Sequence, residues 1–104
     1  MKRAGFALLL AACVLCAQAA DPRSGKARAQ ACTVCHGALG LSMVPNAPHL
    51  AGQPEIYLAE QLRSFRSGKR QHEVMSVIAK GLSDRDIEDL AAWFASLQVQ
   101  VREP

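Results

Sequence analysis

No stretch of this 104-residue chain alternates apolar and polar residues with the two-residue period of a strand, which removes support for a sheet-based fold. The apolar run from Ala4 to Cys16 falls short of the roughly 20 residues that a membrane-spanning helix needs. Excess charge is scarce too. The formal net charge is +3, and without Lys2 and Arg3 the 12 basic residues fall to 10 against 9 acidic ones. Nucleic-acid binding therefore has no electrostatic basis. The sequence shows no internal repeat and no low-complexity segment, and it reads as one domain. Cysteine is limited to four residues, and their positions carry most of the information.

Two of the four stand in Cys32-Thr33-Val34-Cys35-His36. Thiols three positions apart, followed directly by an imidazole, form a haem-attachment motif. The sulfurs add across two vinyl groups of a haem, and His36 is carried beneath the iron as its proximal ligand. Three simpler uses compete. A structural zinc site closes with four ligands, and beyond the motif the chain supplies only His49 and His72, with no second cysteine pair at finger spacing. A thioredoxin-like dithiol requires a strand-helix-strand setting, which is missing. A Cys32–Cys35 disulfide would close too short a loop to add much stability. Haem attachment is the reading that uses all three side chains.

Lys2 and Arg3, the apolar run after them and the small residues of Ala17-Gln18-Ala19 have the layout of a secretory signal. Residues 1–19 are therefore expected to be the signal and residues 20–104 a single domain in the bacterial periplasm. Cys13 and Cys16 repeat the cysteine spacing, but Ala17 follows where histidine is required, so they form no second haem site. Leu10-Ala11-Ala12-Cys13 resembles a lipoprotein box. A lipid on Cys13, or an uncleaved signal, would tie the chain to the membrane. At 85 residues the remaining domain has a marginal core of its own, and a buried haem would supply an apolar centre.

The spacing of apolar residues predicts an all-α domain of about four helices, and the attachment motif places one covalently bound haem among them. The first spans Ser24 to Cys35, with Ser24 as N-cap, and delivers the motif at its C-terminal end. Gly37 to Gly52 form a long irregular loop with Pro45 and Pro48, of the kind that is usually functional. Leu58, Leu62 and Phe65 set the buried face of a second helix that starts at Pro54-Glu55 and stops at Gly68, with Ile56, Tyr57 and Ala59 broadening that face. Val74 to Lys80 make a short third helix. Ser83 and Asp86 form a capping box for a fourth, which buries Ile87, Leu90, Ala91, Phe94 and Leu97.

An iron held by His36 needs a ligand on its other side, and the domain offers Met43, Met75, His49 and His72. A thioether raises the reduction potential and a second imidazole lowers it. Met75, in a short helix well down the chain, fits best, and His72 is its rival. Pro48-His49-Leu50-Ala51-Gly52-Gln53, Tyr57-Leu58, Gln61-Leu62, Phe65, Gly68, Met75, Leu82-Ser83-Asp84, Asp86-Ile87 and Leu90-Ala91-Ala92-Trp93-Phe94 together resemble the class I cytochromes c. The similarity is to the short bacterial c-four and c-five kind and covers nearly all of residues 20–104. The resemblance implies Met75 as distal ligand and Pro48 as the residue whose carbonyl accepts a hydrogen bond from His36, a contact that would tune donation to iron. It also implies that Gly25 lets the last helix approach near Trp93 and Phe94, and that Met43 and His49 are loop groups.

With both axial positions filled by protein, no site is open for substrate, so the expected role is electron transfer and not enzymatic catalysis. One covalently bound haem c would exchange single electrons with redox proteins, such as a dehydrogenase, a cytochrome complex or a terminal oxidase. The alternative is a haem-bearing acceptor subunit of a periplasmic dehydrogenase. Arg63, Arg66, Lys69 and Arg70 cluster at the end of the second helix, either as a dock for an acidic partner or as a solvated face near a helix C-terminus.

Overall fold

The computed structural model describes residue 1 and residues 17–104; the apolar N-terminal run, with Cys13 and Cys16, lies outside the described residues. The described elements are helical without a strand among them: α1 (Pro22–Arg28), a 3-10 turn (Ala29–Cys32), α2 (Thr33–His36), α3 (Glu55–Ser67), α4 (Met75–Lys80) and α5 (Asp84–Ser96).

The first helix begins two residues earlier than the sequence suggests. Asp21, not Ser24, is the N-cap: its carboxylate accepts the Arg23 N–H at 2.9 Å, and Pro22 supplies a preset φ at the first helical position. Ser24 instead donates its hydroxyl to Asp21 at 3.0 Å. These bonds, that from the Arg23 backbone foremost, hold the Asp21 carboxyl below its ordinary value. The predicted single helix is also interrupted, since the backbone tightens into the 3-10 turn before α2 presents the motif.

The last helix follows the sequence closely. Ser83 Oγ accepts the Asp86 N–H at 3.1 Å while the Asp86 carboxylate accepts the Ser83 N–H at 2.9 Å, a complete capping box. Asp86 is held below the usual carboxylate range, chiefly by the Ser83 N–H, then by the Ser83 hydroxyl and the charge of Arg28. Because its folded-state pKa is depressed, its contribution is complete above the ordinary value of 3.8 and is lost as pH falls through the folded value. Ser83→Ala is expected to cost about 1 kcal/mol. Asp86→Asn should destabilise at pH 7 and differ less from the parent at pH 3, as read by urea unfolding at both.

The core is built from Ala29, Leu58, Ala59, Ile87, Leu90, Ala91 and Phe94, with Cys32, Leu50, Leu62, Leu82, Trp93 and Leu97 packed around it. Ile56 and Tyr57 correct the sequence reading: both are exposed. At 100° per residue both lie more than a quarter-turn from the centre of the Leu58, Leu62 and Phe65 stripe. Gly25 is where α1 meets α5. A β-carbon there would fall within the Asp89 carbonyl and 2.8 Å from Trp93 Cβ. Phe94 lies against Gly40, whose hypothetical β-carbon would be 2.9 Å from Phe94 Cδ1.

Asp89 stands out on α5 as a carboxylate only 6% exposed. It accepts the Asp21 N–H at 2.7 Å and pairs with Arg85 at 3.2 Å. A buried charge survives only when paired and hydrogen-bonded, and here the pairing ties the start of α1 to the last helix.

Candidate functional site

The loop after α2 closes on itself and carries Pro48 back to the motif. The Gly40 carbonyl accepts the N–H groups of Leu50 at 2.7 Å and Ala51 at 3.1 Å, and the Phe94 carbonyl accepts the Gly52 N–H at 2.9 Å. Gly40 has φ +73°, a left-handed backbone that favours glycine. The result is the contact the sequence resemblance implies: the Pro48 carbonyl lies 2.8 Å from His36 Nδ1. A carbonyl can only accept, so the proton sits on Nδ1 and Nε2 is left with a free lone pair. The His36 ring is 8% exposed, held by one nitrogen with the other available to a metal.

Cys32 and Cys35 are free thiols, the first half-buried and the second exposed. Burial pushes the Cys32 thiol above its ordinary value and keeps it protonated. Among the described residues no group of three or more His, Cys, Asp and Glu side chains could hold a metal ion, so His49 and His72 do not join the motif in a zinc cage. The donor set fits haem: two thiols for the vinyl groups, one oriented imidazole, and a separate thioether. Apolar surface fits as well. Leu39, Leu41, Val44, Ile56, Tyr57, Val77 and Ile78 are all exposed, apolar side chains that a bound macrocycle could cover.

Met75 is the first residue of α4 and is half-buried. His72, its rival, has another task. His72 Nδ1 accepts the N–H groups of Val74 and Met75 at 3.2 Å each, and the His72 N–H donates to Ser76 Oγ at 3.0 Å. The ring thus caps the helix that carries Met75. With Nδ1 accepting, the neutral ring keeps its proton on Nε2, so neither nitrogen has a lone pair free for iron. Met43 is 96% exposed on the loop, and His49, in the same loop, accepts the Ser42 N–H at 2.8 Å.

The basic cluster is largely spoken for. Arg63 pairs with Glu88 at 3.4 Å, and Arg66 pairs with Asp84 and donates to the Leu82 carbonyl at 3.1 Å. Arg70 lies 4.6 Å over the Phe65 ring and donates to Gln61. Arg66, through its hydrogen bond and then its charge, holds the Asp84 carboxyl below the ordinary value. Arg63 and Arg66 stitch α3 to the last helix and its start, and Arg70 folds back on α3, which leaves less free charge for a dock and favours the solvated-face reading.

The Cytochrome c family model matches residues 23–98. The chain is 46% identical over 83 residues to cytochrome c4 of Pseudomonas aeruginosa, covering 80% of this chain and 41% of that protein. It is 37% identical over 81 residues to cytochrome c-554(548) of Halomonas halodenitrificans, covering 75% of this chain and 98% of that one. A thiosulfate dehydrogenase electron acceptor of Thiomonas intermedia is 45% identical over 71 residues, covering 67% and 33%. The solved structure of reduced recombinant cytochrome c4 from Pseudomonas stutzeri matches with a TM-score of 0.74 at 38% identity, over 80% of this chain and 48% of that one. The chain therefore spans about two-fifths of the curated cytochrome c4 it matches and nearly the whole of the c-554(548) protein. The helical architecture, the motif on α2 and the family match over most of the described chain lead to one conclusion: this chain belongs to the cytochrome c family, as a class I c-type cytochrome of the c4 group.

Proposed function

We propose that the chain is an exported single-electron carrier that binds one haem c through Cys32 and Cys35, with His36 as proximal and Met75 as distal iron ligand. The observation that carries this reading is the 2.8 Å contact between His36 Nδ1 and the Pro48 carbonyl, which frees the second ring nitrogen for iron. When bound, haem supplies a one-electron iron(III)/iron(II) couple. The Pro48 carbonyl orients the His36 imidazole, Met75 would supply a soft thioether as the second ligand, and exposed apolar side chains would cover the macrocycle. His72 acts through Met75 by capping its helix. With two protein ligands in place there is no room for a substrate at the metal, so the chain is read as a carrier and not an enzyme. Residues 1–19 are read as the export signal and residues 20–104 as the periplasmic domain; among the described residues no helix is long and apolar enough to cross a membrane.

Carbon monoxide tests the ligand set. The reduced protein at neutral pH is expected not to bind it, whereas a shifted absorption spectrum on exposure to the gas would mean an open or departing distal ligand. His72→Asn should leave the Met-ligated spectrum in place, since asparagine still offers an oxygen cap to α4. A loss of distal ligation in that variant, with α4 intact, would favour His72.

A second reading is favoured by the similarity to a thiosulfate dehydrogenase electron acceptor: the chain would then receive electrons within a stable complex with a dehydrogenase. Gel filtration of the native protein separates the two, because a carrier elutes near its own mass and a subunit elutes with its partner.

A further inference from the structure

We propose, building on the reading of this chain as a haem electron carrier, that His49 is a positioning residue that ties the reduction potential to pH. One hydrogen bond of His49 allows a single protonation state. Ser42 N–H lies 2.8 Å from His49 Nδ1, and an amide nitrogen only donates, so Nδ1 must carry a lone pair and the ring must be neutral. That bond joins the two limbs of the loop. On one limb Ser42 Oγ donates to the Cys35 carbonyl at 2.8 Å, next to His36. On the other, His49 follows Pro48, whose carbonyl holds His36, while the His49 carbonyl accepts from Gln53 Nε2. The imidazole is a brace across the segment that sets the proximal histidine's hydrogen bond.

Protonation places a hydrogen on Nδ1 facing the Ser42 N–H, so the brace opens. It also puts a positive charge on the residue beside Pro48. Both effects favour the reduced iron: a looser Pro48 carbonyl draws less donation from His36, and a nearby cation disfavours the extra charge of iron(III). The reduced protein therefore holds this proton more tightly than the oxidised one. By linkage the potential rises as pH falls. Each electron received from a donor protein is accompanied, between the two titrations, by one proton taken from solvent onto Nδ1, and oxidation returns it. A tenfold difference in proton affinity between the two oxidation states corresponds to about 59 mV for a one-electron couple.

His49 stands alone among the side chains of its loop. It is exposed to solvent, and residues 37–54 contain no other titratable side chain. The flanking titratable groups are Cys35 and His36 on α2 and Glu55 at the start of α3. The end of α5 meets the loop through uncharged Phe94 and Leu97. Among the described residues no hydrogen bond or ion pair links His49 to a charged group.

The test is potentiometric titration of the haem-loaded protein between pH 5 and pH 9, parent against His49→Asn. Asparagine Oδ1 can accept the same N–H without taking up a proton. The parent potential is expected to rise as pH falls from 9 to 5, and the variant to keep the parent absorption spectrum while losing that rise. A variant that titrates like the parent, or a parent with no rise, overturns the inference while leaving the electron-carrier reading intact. NMR of the His49 ring in the parent alone supplies a check free of any variant: its pKa should be higher in the reduced than in the oxidised protein, and equal values refute the coupling. A purified protein with no haem spectrum overturns the carrier reading, and the inference with it.

Discussion

Met75→Ala is expected to abolish the weak far-red sulfur-to-iron absorption band of the oxidised protein and to let the reduced protein bind carbon monoxide. It should also lower the reduction potential. Axial ligand identity moves haem potentials over roughly 0.8 V, and exchanging a soft thioether for water or a stray imidazole takes a substantial share of that range. The fold should survive. Met75 is half-buried at the start of a six-residue helix, and the cap made by His72 and Ser76 does not involve its side chain. Spectra and circular dichroism of the variant separate loss of the ligand from loss of the helix. An unchanged far-red band would exclude Met75 and move attention to Met43.

Gly25→Ala sets two effects of opposite sign against each other. In an isolated helix the change stabilises by about 1 kcal/mol, because alanine is the better helix former. Here the added methyl would overlap the Asp89 carbonyl and sit 2.8 Å from Trp93 Cβ. The Asp89 oxygen belongs to the backbone of α5 and cannot rotate aside, so α1 and α5 must separate. Overpacking of this kind costs up to about 3 kcal/mol, leaving a net loss of about 2 kcal/mol. For a domain of this size that corresponds to a fall in Tm on the order of 10 °C. Thermal unfolding of the haem-loaded protein measures it. Gly25→Val should be worse, and a rise in Tm for the alanine variant would show that the helices do not meet as described.

Most of the architecture was legible because its signals are local. Gly68 and the Ser83-x-x-Asp86 box mark helix ends through bonds within a few residues, and the Leu58 and Ile87 stripes repeat with the helical period. The haem motif is local too. What escaped the sequence depends on distant partners. Asp89 looks like one more solvated acid on α5 until Asp21, 68 residues away, is found donating to it. Arg63 and Arg66 look like a docking patch until Glu88 and Asp84 arrive from α5. Asp21-Pro22 is a start signal that a sequence reading could have chosen over Ser24. His72 has the spacing of a ligand, whereas its Nδ1 caps α4, and no spacing rule separates those two uses. The Pro48 contact came from family resemblance, and composition alone would not have found it.

The absorption spectrum, oxidised and reduced, of the protein made in cells that attach haem c decides whether this chain is a covalent haem carrier. A c-type haem spectrum that stays with the polypeptide after denaturation, with the far-red band in the oxidised state, is the predicted result. Protein that carries no haem, or haem that washes away on unfolding, would contradict the assignment of Cys32, Cys35 and His36. Covalent haem lacking the far-red band would contradict Met75.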